Sequence, residues 1–466
     1  MTTPVNDRIE TDALGDRVIP STALYGANTV RGVENFPFKG ASFGEVATFV
    51  RAFAAIKKAS VLTNIDLGTI DRERGEAIAA AADEMYTGAL SEHLIVSLME
   101  GSGGTSTNMN VNEVLANRAL QILGHMPGDY HHLHPNDHVN LGQSTNDVFP
   151  TALELACIDF CQPALDALTR VADALEYKAQ EFNDVYRLGR TCLQDAQPMT
   201  LGQAFGGYAT LVRRAGQHLA TTRKKLMTLP LGGTAIGTGL GAAPGFRKRV
   251  IERLAMITGF DLQPAENIFD AMQNLDETQR LSSDLNIAAS GLARIARDFI
   301  ILSSGPDGGL AEISLPAVQP GSSIMPGKVN PVIPMAVVQA ALAIAGNHVS
   351  ISQAVQEGML EINHYENIIC TRLFDSFRLV TTAATIFAER CIEGLEANRE
   401  RCEANLMNSF AMATILVPDL GYAAVSKLVK ESIAAKRPFL DLAEERGLIS
   451  KADALAAIKT AAHGNS

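Results

Sequence analysis

Tryptophan is absent from this 466-residue chain, and phenylalanine and tyrosine bring the aromatic share to only 6%. With 47% hydrophobic residues and so few rings, cores rich in alanine and leucine are expected, which favours helices packed on helices. Basic residues are also short: 39 Lys and Arg face 51 Asp and Glu, a formal charge of −12. A broadly acidic surface excludes nucleic acid and anionic membranes as bulk partners. No CxxC occurs. Cys157, Cys161, Cys192, Cys370, Cys391 and Cys402 are scattered, and the four-residue spacing in "CIDFC" does not by itself make a metal site. Reduced thiols are expected. The opening "MTTPVNDRIETD" lacks the apolar segment of a secretory signal, so a cytoplasmic location is expected. Internal repeats and low-complexity tracts are lacking as well.

One uncharged stretch, residues 329–347, has the length of a membrane span. It contains Asn330, Pro331, Pro334 and Gln339, and its apolar residues are largely Ala and Val. A buried central helix is expected instead, and no membrane partner.

The chain is long enough for two or three domains. Its first forty residues are turn-rich and show no helical period. Apolar residues then recur at three- and four-residue spacing over 43–68 and 72–90, each predicting an amphipathic helix. Longer patterns follow over 151–183, 201–227 and 274–303, beyond about twenty-five residues each, which points to an extended bundle covered by neighbouring subunits. The glycine-rich 232–245 neither follows a strand nor opens a βαβ unit, so it reads as a loop with close backbone contacts rather than a dinucleotide fingerprint. The last sixty or so residues read as a small helical unit.

Three segments concentrate hydroxyls and amides: "GSGGTSTNMNVNE", "GQSTND" and "GSSIMPGKVNP". Singly, each could cap a helix, since Ser, Thr and Asn are preferred there. Together with Lys328 they suit an anion, because hydroxyl, amide and backbone N–H donors can surround a dicarboxylate while one lysine supplies charge. Such donors also suit the enediolate formed when a proton leaves the carbon beside a carboxylate. The third segment holds no His, Asp or Glu to act as base. A serine can serve if neighbouring N–H groups and a cation stabilise its alkoxide; Gly321 and Gly327 permit that geometry and a loop that closes over substrate.

"GSSIMPGKVNP" resembles the signature of the aspartase/fumarase superfamily, whose members reversibly eliminate a group from succinate derivatives. "GTSTNMNVNEVLANRA", "QSTNDVFPTA", "GRTCLQDAQPMTLGQ" and "SSGPDGGLAEISLP" resemble its other blocks, in the same order, and "RIETDALGDRVIP" and "GLEANRERCE" extend the resemblance towards both ends. It implies a mainly α, three-domain protomer (1–143, a central helical bundle over 144–398, and 399–466). It also implies a homotetramer with a twenty-helix core and active sites shared by three subunits.

Carried over by position, Ser322 matches the catalytic base. Thr105, Ser144, Thr145, Asn146, Thr191, Ser323, Lys328 and Asn330 match substrate-binding positions. Lys328 and Asn330 would hold the carboxylate on the carbon bearing the leaving group. Ser144, Thr145 and Ser323 would hold the one beside the abstracted proton, with Thr105 and Asn146 facing the leaving group. His134, Asn136 and Asp137, in "HPND", resemble a second dicarboxylate site of fumarases; an exposed turn is the other reading. No metal or organic cofactor is implied.

The blocks lean towards an aspartase-like carbon–nitrogen lyase acting on a small dicarboxylate. Fumarate hydratase is the alternative, and a non-catalytic homologue a third reading. Three positions depart from the family pattern. Cys192 stands where His or Gln is usual, Met335 where Glu is usual, and Asp307 where Arg is common. Loss of the His and Glu together leaves a lining of two sulfur side chains beside the leaving group. That points either to drift within an ordinary aspartase or to a leaving group other than ammonia or water, such as a substituted amine.

Overall fold

The computed structural model describes residues 7–462 and is mainly helical. The chain opens with an antiparallel hairpin, β1 (Arg8–Asp12) and β2 (Gly15–Ile19), followed by α1 (Ala27–Asn35). Then come α2 (Ala47–Asp66), α3 (Arg72–Tyr86) and α4 (Thr105–Ile122). The longest helix, α5 (Thr145–Glu181), precedes a second hairpin, β3 (Tyr186–Thr191) and β4 (Gln194–Thr200), and α6 (Leu201–Lys225). After α7 (Phe246–Thr258) and α8 (Ile268–Gln273) run three more long helices: α9 (Asp276–Leu302), α10 (Val332–Gln356) and α11 (Glu366–Phe387). Five short helices close the chain, from α12 (Arg399–Met407) through α13 (Ala413–Leu420), α14 (Tyr422–Ala435) and α15 (Phe439–Glu445) to α16 (Lys451–Ala462).

Packing divides the chain into two compact units, with boundaries that fall inside the long helices. The first takes residues up to Ala164 with 218–286 and 343–378. Its core gathers the scarce aromatic rings: Phe49 meets Phe43, Phe53, Phe149 and Phe374 edge-on at centroid distances of 5.3, 5.1, 5.5 and 5.1 Å. Edge-to-face rings add about 0.5–1.5 kcal/mol per pair beyond buried area. The second unit takes 165–217, 287–342 and 379 onward. There Phe205 packs on Phe182 and Phe299 at 5.4 Å each, and Phe299 on Phe387 at 5.4 Å. A further cluster of Leu406, Met412, Leu428, Phe439, Leu440 and Ile458 joins the C-terminal helices to Leu188 of β3.

Two features differ from the sequence expectation. The opening segment, read as having no helical period, contains α1. That helix is short, and its free N–H groups are satisfied from far away in sequence. The buried carboxylate of Glu113 on α4 accepts from the backbone of Gly26, Asn28 and Thr29 at 2.8, 2.9 and 3.1 Å, and from Thr29 Oγ1 at 2.6 Å. A carboxylate at a helix N-terminus meets both the orphan donors and the positive end of the helix dipole. Second, α10 is not buried within the chain. Among the described residues two helices are long and apolar enough to cross a membrane: α5, 67% of whose most apolar window is buried, and α10, only 28% buried. Leu342 and Val349 on α10 are 63% and 60% exposed.

Candidate active site

In the first unit the expected binding residues sit on two helix starts. Gly103 and Gly104 take positive φ (64° and 86°) and turn the chain into α4 at Thr105, which is exposed. The residues that follow face inward and hold the scaffold. Asn110 accepts from Ile95 N and donates to His93 O, both at 2.9 Å, and Asn108 Nδ2 donates to Thr145 Oγ1 at 3.1 Å.

Ser144 begins α5 as a reciprocal cap. Ser144 N donates to Asp147 Oδ1 (2.9 Å), and Ser144 Oγ accepts from Asn146 N (3.2 Å). Capping and binding are therefore compatible readings of "STND". The second oxygen of Asp147 accepts from Gly232 N (3.0 Å) and Thr234 N (2.9 Å), and Asn146 Nδ2 donates to Ala235 O (2.8 Å). The glycine-rich loop expected to make close backbone contacts is thus fastened to the start of α5.

Behind this segment lies a lysine that sequence reasoning did not single out. Lys57 on α2 is fully buried and donates to Asn140 Oδ1 (3.1 Å) and Gln143 Oε1 (3.0 Å). Burial pushes its pKa down to about 7, opposed by the charge of Asp147. Burial likewise raises the Asp147 carboxyl to about 6, against the pull of its three backbone donors and Lys57. The signal available in the sequence was Lys57 falling among apolar positions in "RAFAAIKKAS".

His134, Asn136 and Asp137 form a self-closed turn. His134 Nδ1 accepts from the backbone of Asn136 (3.1 Å) and Asp137 (3.4 Å), and His134 N donates to His138 Nδ1 (2.8 Å). Asn136 and Asp137 are exposed.

The second unit holds the remaining residues. Residues 321–330 form a loop closed at its neck, where Gly321 N donates to Lys328 O (2.9 Å) and Asn330 Nδ2 to Gly321 O (2.6 Å). A side chain at Gly321 would run into the Lys328 carbonyl, so the neck requires glycine. Inside the loop, Ser322 Oγ accepts from Ile324 N and Met325 N, both at 3.1 Å. Two N–H dipoles aimed at one hydroxyl oxygen favour its anionic form. Ser323 and Lys328 are exposed, and Lys328 makes no ion pair among the described residues. Asn330 is engaged in holding the neck, a structural duty beside the binding role expected of it. Met335 lies in the first turn of α10 and is 47% exposed.

Thr191 and Cys192 occupy the tip of the β3–β4 hairpin. Thr191 pairs with Gln194, leaving Cys192 and Leu193 as a two-residue turn with φ of 52° and 61°. Left-handed backbone at both positions is the geometry for which hairpins ordinarily use Asn-Gly. Strain of this kind collects at functional sites. The hairpin base is fixed by the fully buried Glu312, which pairs with Arg190 (2.7 Å) and Arg187 (3.1 Å) and accepts from Asn405 Nδ2 (3.0 Å). Asp307 is exposed, in the turn between α9 and Glu312, and makes no ion pair among the described residues.

The chain as a whole is similar to known lyases. A family model described as Lyase matches residues 15–346. The aspartate ammonia-lyases of Helicobacter pylori and Bacillus subtilis are each 40% identical over 444 residues, covering 95% of this chain and 95% and 93% of theirs. A fumarate lyase:delta crystallin of Brucella melitensis, solved bound to cobalt, superposes with a TM-score of 0.95 at 42% identity, covering 98% of this chain and 100% of that one. A class II fumarase of Schistosoma mansoni reaches 0.93 at 35% identity, covering 99% and 100%.

Proposed function

This chain belongs to the aspartase/fumarase superfamily of lyases, and from that premise we propose that it is a carbon–nitrogen lyase eliminating ammonia or a substituted amine from aspartate or an aspartate-like dicarboxylate. The product is fumarate and the elimination is anti and reversible. The observation that carries the reading is Ser322, whose Oγ receives two backbone N–H groups on a neck-closed, exposed loop.

Ser322 as alkoxide takes the C3 proton. The resulting aci-carboxylate is held by Ser144, Thr145 and Ser323, and the other carboxylate by Lys328 and Asn330. Thr105, Asn146 and Thr191 complete the substrate contacts. Cys192 and Met335 line the leaving-group side, where neutral sulfur offers no charge to a departing ammonia and suits a bulkier amine. His134, Asn136 and Asp137 are a proposed second dicarboxylate site.

The proposed assembly is a homotetramer whose active sites draw on three subunits, and the proposed domains are 1–143, 144–398 and 399–466. The uncharged, exposed α10 supports self-association, since a helix apolar around most of its circumference must be covered. The chemistry as written calls on no cofactor.

The rival activity is hydration of fumarate, favoured by the class II fumarase likeness. Incubating purified protein with aspartate, N-substituted aspartates and malate, and following fumarate absorbance, separates them. Fumarate from malate alone overturns the proposal. Aspartate turnover at the level of ordinary aspartases, with N-substituted analogues inert, removes the altered-pocket part. The non-catalytic reading predicts no product from any of them.

A further inference from the structure

Between the end of α4 and the His134 turn the chain makes a tight loop that the proposed elimination does not use. It contains three of the ten histidines, His125, His131 and His132. We propose that three of its side chains, His125, Asp129 and His132, form a binding site for a divalent transition-metal ion such as Zn2+.

The three residues each offer a ligand atom, and these atoms lie within 4.8 Å of one another. Asp129 Oδ2 is 3.8 Å from His125 Nδ1 and 3.7 Å from His132 Nε2. Both gaps are too long for hydrogen bonds. They are close to the separation of two atoms bound to one ion: with metal–ligand bonds of about 2.0–2.1 Å, neighbouring ligands in a tetrahedron stand about 3.4 Å apart. Closure therefore needs shifts of about 1 Å or less, which half-exposed side chains can make. The two imidazoles already stack, with centroids 3.9 Å apart and planes 15° apart. A carboxylate bridging two rings without bonding either has room for a cation between them.

The backbone beneath the cluster is held from several sides. His125 N donates to Leu120 O (2.9 Å), Asp129 N to Met126 O (3.1 Å) and His132 N to Asp129 O (3.0 Å). Gly128 N donates to the buried Asn117 Oδ1 at 2.7 Å, while Arg74 Nε reaches His132 O at 2.5 Å. Asn117 Nδ2 also donates to Tyr130 Oη (3.1 Å). A loop fixed before the ion arrives loses little entropy on binding, the usual requirement for a site on so short a stretch.

The donor set selects the ion. Two imidazoles and one carboxylate suit Zn2+, Co2+ or Ni2+, whereas Ca2+ and Mg2+ prefer all-oxygen shells. Three protein ligands leave a coordination position for water. The Tyr130 ring stands edge-on to His134 at 5.7 Å, so an ion here stiffens the approach to the His134 turn.

Equilibrium dialysis of the full chain against Zn2+, with its thiols kept reduced, tests the site. The expected result is an equivalent per chain whose affinity drops at least about tenfold in His125→Ala and in His132→Ala, and is unchanged in His131→Ala. A second measurement avoids variants: Zn2+ should suppress diethyl pyrocarbonate labelling of His125 and His132, and equal Mg2+ should not. Wild-type affinity in both alanine variants, or labelling of the two histidines undiminished by Zn2+, overturns the proposal.

Discussion

Asp147 Oδ2 accepts a hydrogen bond from Gly232 N at 3.0 Å, across 85 residues of sequence, while Oδ1 of the same carboxylate holds Ser144 N. One buried side chain thereby fixes both the start of α5 and the glycine-rich loop beside it. Asp147→Ala leaves two buried backbone N–H groups, those of Gly232 and Thr234, and the part-buried one of Ser144 without acceptors, at about 1–3 kcal/mol for each buried group. Urea unfolding should show a loss of about 3 kcal/mol or more, and the misplaced Ser144 and Thr145 should lower kcat/KM as well. A loss below about 1 kcal/mol would mean the anchoring is illusory.

Lys57 makes stability depend on pH in a direction that can be worked out. Its folded pKa, near 7, lies below the unfolded value near 10.4. Between those values the unfolded state binds more protons, so stability rises with pH. Asp147, raised to about 6, acts at the other end, lowering stability as pH climbs from about 4 to 6. Lys57→Met removes the alkaline rise and leaves a constant cost for the Gln143 acceptor, while Asn140 Oδ1 still accepts from Asn108 and Asn112 Nδ2 (3.2 Å each). The stability of wild type relative to this variant should grow by on the order of 4 kcal/mol between pH 7 and pH 10. A pH-independent difference would refute the assignment.

How much of this was legible depended on how local the cause was. The long helices α5, α6 and α9 announced themselves through apolar period, and each was read to within a few residues at most of its bounds except the start of α5. There Ser144 caps the helix six residues earlier than the pattern suggested. Helix α1 was invisible because its cap is Glu113, a residue from another helix. Ser322 and its loop were legible because serine, lysine and asparagine crowd into one irregular stretch. Lys57 and Asp147 were missed as a pair because their partnership exists only after α2 and α5 pack. The exposure of α10 could not be read either, since composition says that a helix must be covered but not by which chain.

Ser322→Ala should abolish fumarate formation while leaving the oligomer and helical content unchanged, because among the described residues the hydroxyl bonds only within its own loop. Substantial residual activity would remove serine from the role of base. Gly321→Ala probes the loop itself. The added carbon meets the Lys328 carbonyl and Asn330 N, forcing the neck open, and kcat/KM should fall about tenfold or more, equivalent to about 1.4 kcal/mol of transition-state stabilisation. An unaffected Gly321→Ala enzyme would show that the neck plays no part in placing Ser322.

The β3–β4 turn holds strain that can be released. Leu193 has φ of 61°, a conformation that costs a residue with a β-carbon roughly 1–2 kcal/mol and glycine nothing. Part of the gain is lost to the greater freedom of glycine when unfolded. Leu193→Gly should therefore stabilise by up to about 1 kcal/mol, seen as a higher thermal midpoint. A lower midpoint would mean that the Leu193 side chain contributes more by packing than the turn loses by strain.

Cys192 and Met335 carry the last prediction, which concerns specificity rather than stability. Histidine is among the non-glycine residues that most readily adopt left-handed backbone, so Cys192→His fits the φ of 52° at that tip. Met335→Glu adds the carboxylate that such a histidine would pair with. Installing one alone supplies a polar or charged group without the partner it would have beside the leaving group. The double variant should raise kcat/KM for aspartate relative to N-substituted aspartates by about tenfold or more, and each single variant should do less than half of that on a logarithmic scale. Additive singles would show that the two positions do not act on each other. An unchanged substrate ratio in the double variant would move the determinant of the leaving group elsewhere, with Asp307→Arg as the next substitution to measure.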